Sequence, residues 1–169
     1  MSRYRRVYTC LWGDGKFQTL SRPQPCGQSL WIYLLTGDKT TNIPGLLSIG
    51  LGGLADAMKW PVPATRKAWN EIATQKMATA DWEAPLIFVR NALHYNIPES
   101  PNVVKSWRTN WVEIPECPLK LIAYEQMEAF FKEYGEAFVK AFREACARPL
   151  AKPFGKPLAK GSAKSSAKP

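Results

Sequence analysis

Leu51 to Arg90 reads LGGLADAMKWPVPATRKAWNEIATQKMATADWEAPLIFVR, and the order of its periodicities decides the fold. Leu51, Leu54, Ala55 and Met58 recur at helical spacing, and Trp60-Pro61-Val62-Pro63 breaks the pattern. A second helix over 62–75 then turns Thr65, Ala68, Trp69 and Ile72 to one side and Arg66, Lys67, Asn70 and Thr74 to the other. Two short extended runs follow, Met77–Asp81 and Leu86–Arg90, around the turn-like Trp82-Glu83-Ala84-Pro85. Two helices joined by a tight break and followed by a hairpin are the outline of a helix-turn-helix with a wing.

The flanks extend that outline. A helix is predicted over 22–36, with Ser21 as its cap, Pro23 in its first turn, Leu30, Trp31, Leu34 and Leu35 as its buried stripe and Gly37 as its stop. Residues 3–20 form short helical or turn structure, and a short strand near 43–46 can pair at the edge of the hairpin. Beyond a polar connector, helices are expected over 103–112 (capped by Asn102), 119–134 and 136–146. The two phenylalanine-rich faces of the last pair need a surface, either the helix-turn-helix or a second subunit. The expected class is mainly α with a small β-hairpin (α+β), a winged helix-turn-helix extended by C-terminal helices. Its divisions are 1–96 for the winged helix, 97–147 for the helical extension, and 148–169 for a tail of Ala, Lys, Pro, Gly and Ser that cannot bury enough apolar surface to order its backbone.

The net charge of +9 is unevenly placed. Residues 1–111 carry +6 and residues 148–169 another +6, whereas 112–147 carry −3. Cations on the reader and on the tail point to a polyanion, and a duplex major groove admits one helix. Double-stranded DNA is therefore the expected partner. The residues expected to touch it are Arg66, Lys67, Asn70 and Thr74 on the helix, Arg90 on the return strand, Lys105, and an arm of Arg3, Arg5 and Arg6. An arginine can grip a guanine edge bidentately, and Asn70 has the paired donor and acceptor that adenine requires. Asp81 and Glu83 at the hairpin tip count against groove insertion there. Among the tryptophans, Trp82 is the candidate for stacking on a base.

Several chemistries are not expected. Cys10, Cys26, Cys117 and Cys146 lack paired spacing and His94 is the sole histidine, so neither a metal site nor a catalytic triad is indicated. Gly50-Leu51-Gly52-Gly53 lacks the lysine of a phosphate-cradling loop. No enzyme activity and no cofactor follow. With no apolar run of membrane-spanning length and no leader-like N-terminus, membrane association is not expected and a cytoplasmic location is.

A resemblance sharpens this reading. Tyr4-Arg5-Arg6, Trp12, Lys16-Phe17, Leu30-Trp31-Ile32-Tyr33-Leu34-Leu35-Thr36-Gly37, Pro44-Gly45-Leu46, Trp60 and Arg66-Lys67-Ala68 make up its first blocks. Tyr95-Asn96, leading into Pro101-Asn102-Val103-Val104-Lys105-Ser106-Trp107, completes it. Over about residues 3–145 the chain resembles the N-terminal domain of phage and prophage replication-initiation proteins, the replisome-organiser group. That resemblance implies a winged helix that binds origin DNA and recruits a helicase or its loader in a bacterial or phage-infected cell, with a homodimer as a further expectation. Pro61-Val62-Pro63 departs from the polar cap usual at the recognition helix of such proteins. A phage transcriptional regulator would use the same reader, and a winged-helix adaptor would instead turn its acidic tip to protein.

Overall fold

A strand of four consecutive apolar residues cannot leave either face to water, and Leu86-Ile87-Phe88-Val89 leaves neither: all four side chains are buried in the computed structural model, which describes residues 8–150. With β1 (Leu46–Leu47) and β2 (Ala78–Asp81), β3 (Leu86–Val89) forms a small antiparallel sheet in the order β1-β3-β2. The registers are Leu46 opposite Phe88 and Ala78 opposite Val89. Successive strand side chains point to opposite faces. Leu47, Ala78, Ile87 and Val89 accordingly enter one apolar cluster, and Leu46, Leu86 and Phe88 the other. The molecule is thus mainly helical, with a thin sheet between two helical layers.

The first layer comes from the N-terminal half. A 3-10 turn (Thr9–Gly13) and α1 (Gly15–Gln18) precede α2 (Gly27–Thr36), α3 (Leu51–Met58) and α4 (Val62–Thr74). Leu30, Tyr33 and Leu34 pack with Leu54, Met58, Ala68, Trp69 and Ile72. The helix predicted from residue 22 begins only at Gly27. Pro25 has no N–H and forces its predecessor out of helical geometry, so Arg22–Cys26 stays outside the helix. Cys26 takes the capping role assigned to Ser21, its sulfur accepting Ser29 N–H at 3.5 Å. α3 ends at Lys59, left-handed at φ 55°. Gly45 (φ 83°) lies so close to the Val89 carbonyl that a Cβ would stand 2.5 Å from it.

The second layer holds α5 (Ala92–Tyr95), α6 (Pro101–Lys105), α7 (Arg108–Glu113), α8 (Pro118–Tyr134) and α9 (Glu136–Ala145). The single helix expected over 103–112 is two. The Ser106 hydroxyl donates back to the Val103 carbonyl at 2.7 Å, loosening the ladder at the junction. Trp107 and Trp111 nevertheless both point inward, 1% and 2% exposed. Phe130, Phe131 and Phe142 pack with them against Leu86 and Phe88, so the phenylalanine-rich faces are covered by this chain's own sheet. Lys120 is the unexpected member of this layer at 2% exposure. Its Nζ donates to the Ile114 carbonyl at 2.7 Å and Glu116 Oε1 at 2.6 Å, 5.0 Å from the Trp111 ring centroid. A buried ammonium is tolerable only when so satisfied. Lys120→Met keeps the stem but strands the Ile114 carbonyl, so stability should fall by about 1–3 kcal/mol, read as a lower urea midpoint at unchanged slope.

Candidate nucleic-acid interface

α4 lies across α2 and α3 on its Thr65, Ala68, Trp69 and Ile72 side and leaves Arg66, Lys67, Asn70 and Thr74 exposed. Arg66, Asn70 and Thr74 recur every fourth residue and Lys67 lies three before Asn70, so the four share one outward face. Among the described residues neither Arg66 nor Lys67 joins an ion pair. The C-terminal layer differs: Lys105 pairs with Glu144 at 3.2 Å, Lys132 and Arg143 share Glu128, and Arg148 meets Glu125 at 2.8 Å. Bonding to Arg143 holds the Glu128 carboxyl below its ordinary value despite partial burial. Arg108 and Lys140 in that layer join no described ion pair, and in the first layer Lys39 and Lys59 are paired with Asp38 and Asp56.

The acid within α4 is committed elsewhere. Glu71 Oε2 accepts the Gly27 N–H at 3.0 Å, placing a carboxylate at the positive end of α2. A Cβ at Gly27 would stand 2.6 Å from that oxygen, so a side chain there would displace the carboxylate from its N–H. Pro61, as N-cap, offers no side-chain acceptor to the start of α4; the Thr65 hydroxyl donates to its carbonyl at 3.2 Å.

The structure does not gather the remaining expected residues beside α4. Arg90 continues the Leu86–Phe88 side of β3, on the opposite face of the sheet. Its Nη2 donates to Thr79 Oγ1 at 3.3 Å, and it lines a cavity of about 260 Å³ with His94, Gln126, Phe130 and Glu133. Lys105 belongs to α6, packed on α9, and is held by Glu144. Arg3, Arg5 and Arg6 lie outside the described residues, as do the tail lysines from Lys152 onward. Two cations escaped the sequence reading. Lys76 is exposed just past α4 in a left-handed conformation (φ 57°), and Arg22 precedes α2.

The hairpin is short and its tip is packed. Asp81 Oδ1 turns inward to accept Glu83 N–H at 3.1 Å and Ala84 N–H at 3.0 Å, so this acid shapes the turn. Trp82 meets Trp69 of α4 edge-on, centroids 4.9 Å apart, which uses the ring proposed for base stacking. Ala84 packs against the C-terminal core. His94 is exposed and stands edge-on to Phe130, centroids 4.8 Å apart. No group of three metal-ligating side chains occurs among the described residues, and no described helix is long and apolar enough to cross a membrane.

The four cysteines are free thiols. Hydrogen bonding with the Ser29 hydroxyl and then its N–H holds the Cys26 thiol below its usual value, whereas burial pushes Cys146 up to about 12. Comparison with protein-family models, with curated proteins and with solved structures gave no match.

Two outcomes follow from these contacts. Glu71→Ala removes the acceptor at the start of α2 and should cost about 0.5–2 kcal/mol, the range of a lost helix cap, measured by thermal unfolding. At neutral pH a lowered pKa means more thiolate. Iodoacetamide should thus modify Cys26 and spare Cys146 in the native protein, and Ser29→Ala should slow the Cys26 reaction, as peptide mapping would record.

Proposed function

We propose that residues 27–89 form a winged helix that binds duplex DNA by laying the outward face of α4 in the major groove. The observation that carries this reading is the pair Arg66 and Lys67, exposed and outside any described ion pair, on a helix whose opposite side is buried. The element order helix, strand, two helices, hairpin, with the first strand paired to the last, supports it. Asn70 and Thr74 stand one and two turns along, where base edges would lie. The packed tip assigns the hairpin to bracing α4.

In this reading the chain acts in the cytoplasm as a phage-type replication-initiation protein. It marks an origin and recruits a helicase or loader, without catalysis or cofactor of its own. In this reading the outward side of α8 and α9 is the side offered to a protein partner or a second copy. A transcriptional regulator would share the DNA interface; footprinting across the phage genome separates the two by whether sites cluster as origin repeats or lie at promoters.

Duplex binding by the full chain should weaken linearly in log Kd against log salt, with each neutralised phosphate contributing a slope of about 0.9. Replacing Arg66 and Lys67 together by Ala should weaken binding by roughly tenfold or more, given about 1–3 kcal/mol for a bidentate base contact, and flatten the slope. Salt-independent binding, or the same affinity in the double variant, would remove α4 from the interface and favour a protein-binding adaptor.

A further inference from the structure

α3 and α4 end in the same backbone motif. After α3, Lys59 N–H donates to the Asp56 carbonyl at 3.1 Å and Trp60 N–H to the Ala55 carbonyl at 2.9 Å. After α4, Lys76 N–H donates to the Ala73 carbonyl at 2.9 Å and Met77 N–H to the Ile72 carbonyl at 3.3 Å. This double closure puts one residue in the left-handed region, where glycine is usual because a Cβ crowds the following carbonyl. Here that residue is a lysine both times, at φ 55° and 57°. No other non-glycine residue among those described has a positive φ.

The two lysines differ in what their ammonium groups meet. Lys59 Nζ lies 2.9 Å from Asp56 Oδ1, so its charge is answered on its own helix. Lys76 is exposed and joins no ion pair among the described residues. The chain itself fixes its place. Two residues beyond Thr74, its Cα lies within about 7.6 Å of the last residue on the exposed α4 face. From Val62 to Thr74, α4 rises about 18 Å, against a major groove about 12 Å wide. With Arg66 and Asn70 across the groove, the last turn of α4 stands at the bordering backbone. That turn holds no base and carries the negative end of the helix dipole, which repels a phosphate. A flexible cation just past it reverses the sign.

We propose that Lys76 contacts a backbone phosphate at the C-terminal end of α4, a contact that accounts for a charged side chain where glycine would relieve the backbone. This rests on the duplex-binding reading above and adds a residue that sets register without reading a base. Lys59 has the same backbone geometry but a neutralised charge, and makes no such contact.

The test compares Lys76→Gly, Lys76→Arg, Lys59→Gly and Lys67→Ala in the full chain, by thermal unfolding and by salt-dependent binding to two short duplexes of unrelated sequence. Glycine suits the left-handed position, so neither glycine variant should melt below the unaltered protein. Lys76→Gly should nevertheless bind both duplexes several-fold more weakly and to the same extent, with a salt slope lower by about one. Lys76→Arg should keep affinity and slope, and Lys59→Gly should bind like the unaltered protein. Equal losses in the two glycine variants would report net charge alone and overturn the proposal. Weaker binding by Lys76→Gly at unaltered slope, or with lowered melting, would make the lysine merely structural and overturn it too. So would unchanged binding by Lys76→Gly while Lys67→Ala still weakens it, and that outcome leaves the α4 reading standing. If the unaltered chain binds neither duplex, the α4 reading itself falls, and the part of Lys76 with it.

Discussion

The dry strand at the centre is the constraint on which everything else rests. β3 has four side chains and no solvent face, so helices must cover it on both sides. Phe88 on one side and Ile87 on the other each join a separate cluster, and burying a side chain of this size stabilises by about 1.5–3 kcal/mol. The sheet is too small to stand alone, since three short strands of two and four residues cannot form a core. Their stability comes from the helices, and the positions of the helices come from them. α4 is placed through Trp69, which touches the hairpin at Trp82, and the hairpin tip is placed through Ala84 against the C-terminal layer.

Charge follows the same division. On the C-terminal layer Glu128, Glu125 and Glu144 each hold a base, and the Lys105–Glu144 and Arg143–Glu128 pairs join one helix to another. On the other layer Glu71 and Asp81 are turned to backbone N–H groups, while Asp38 and Asp56 pair with Lys39 and Lys59.

The elements from α3 to β3 were legible because the periodicity changes from 3.6 to 2 at the end of α4, and because Pro61 and Pro63 separate two apolar stripes. The outward placement of Arg66, Lys67, Asn70 and Thr74 follows from that periodicity alone. Arg90 was not legible: in a strand covered on both faces, alternation gives no sign of which layer a side chain joins. The true start of α2 was obscured by giving Pro23 more weight than Pro25. Lys120 reads as one more solvated base until the turn at 114–117 folds beneath it. Lys76 gave no signal either, since a left-handed helix end is read from glycine and those of α3 and α4 carry lysine.

The shared strand also governs how this protein can be dissected. A fragment ending at residue 96 retains all three strands but loses the helices that cover Leu46, Leu86 and Phe88. Its bare apolar sheet face would then meet water, the kind of patch through which truncated domains self-associate and precipitate. The stretch beyond 96 is thus part of the minimal folding unit, and domain-swapping or fusion experiments should cut outside it.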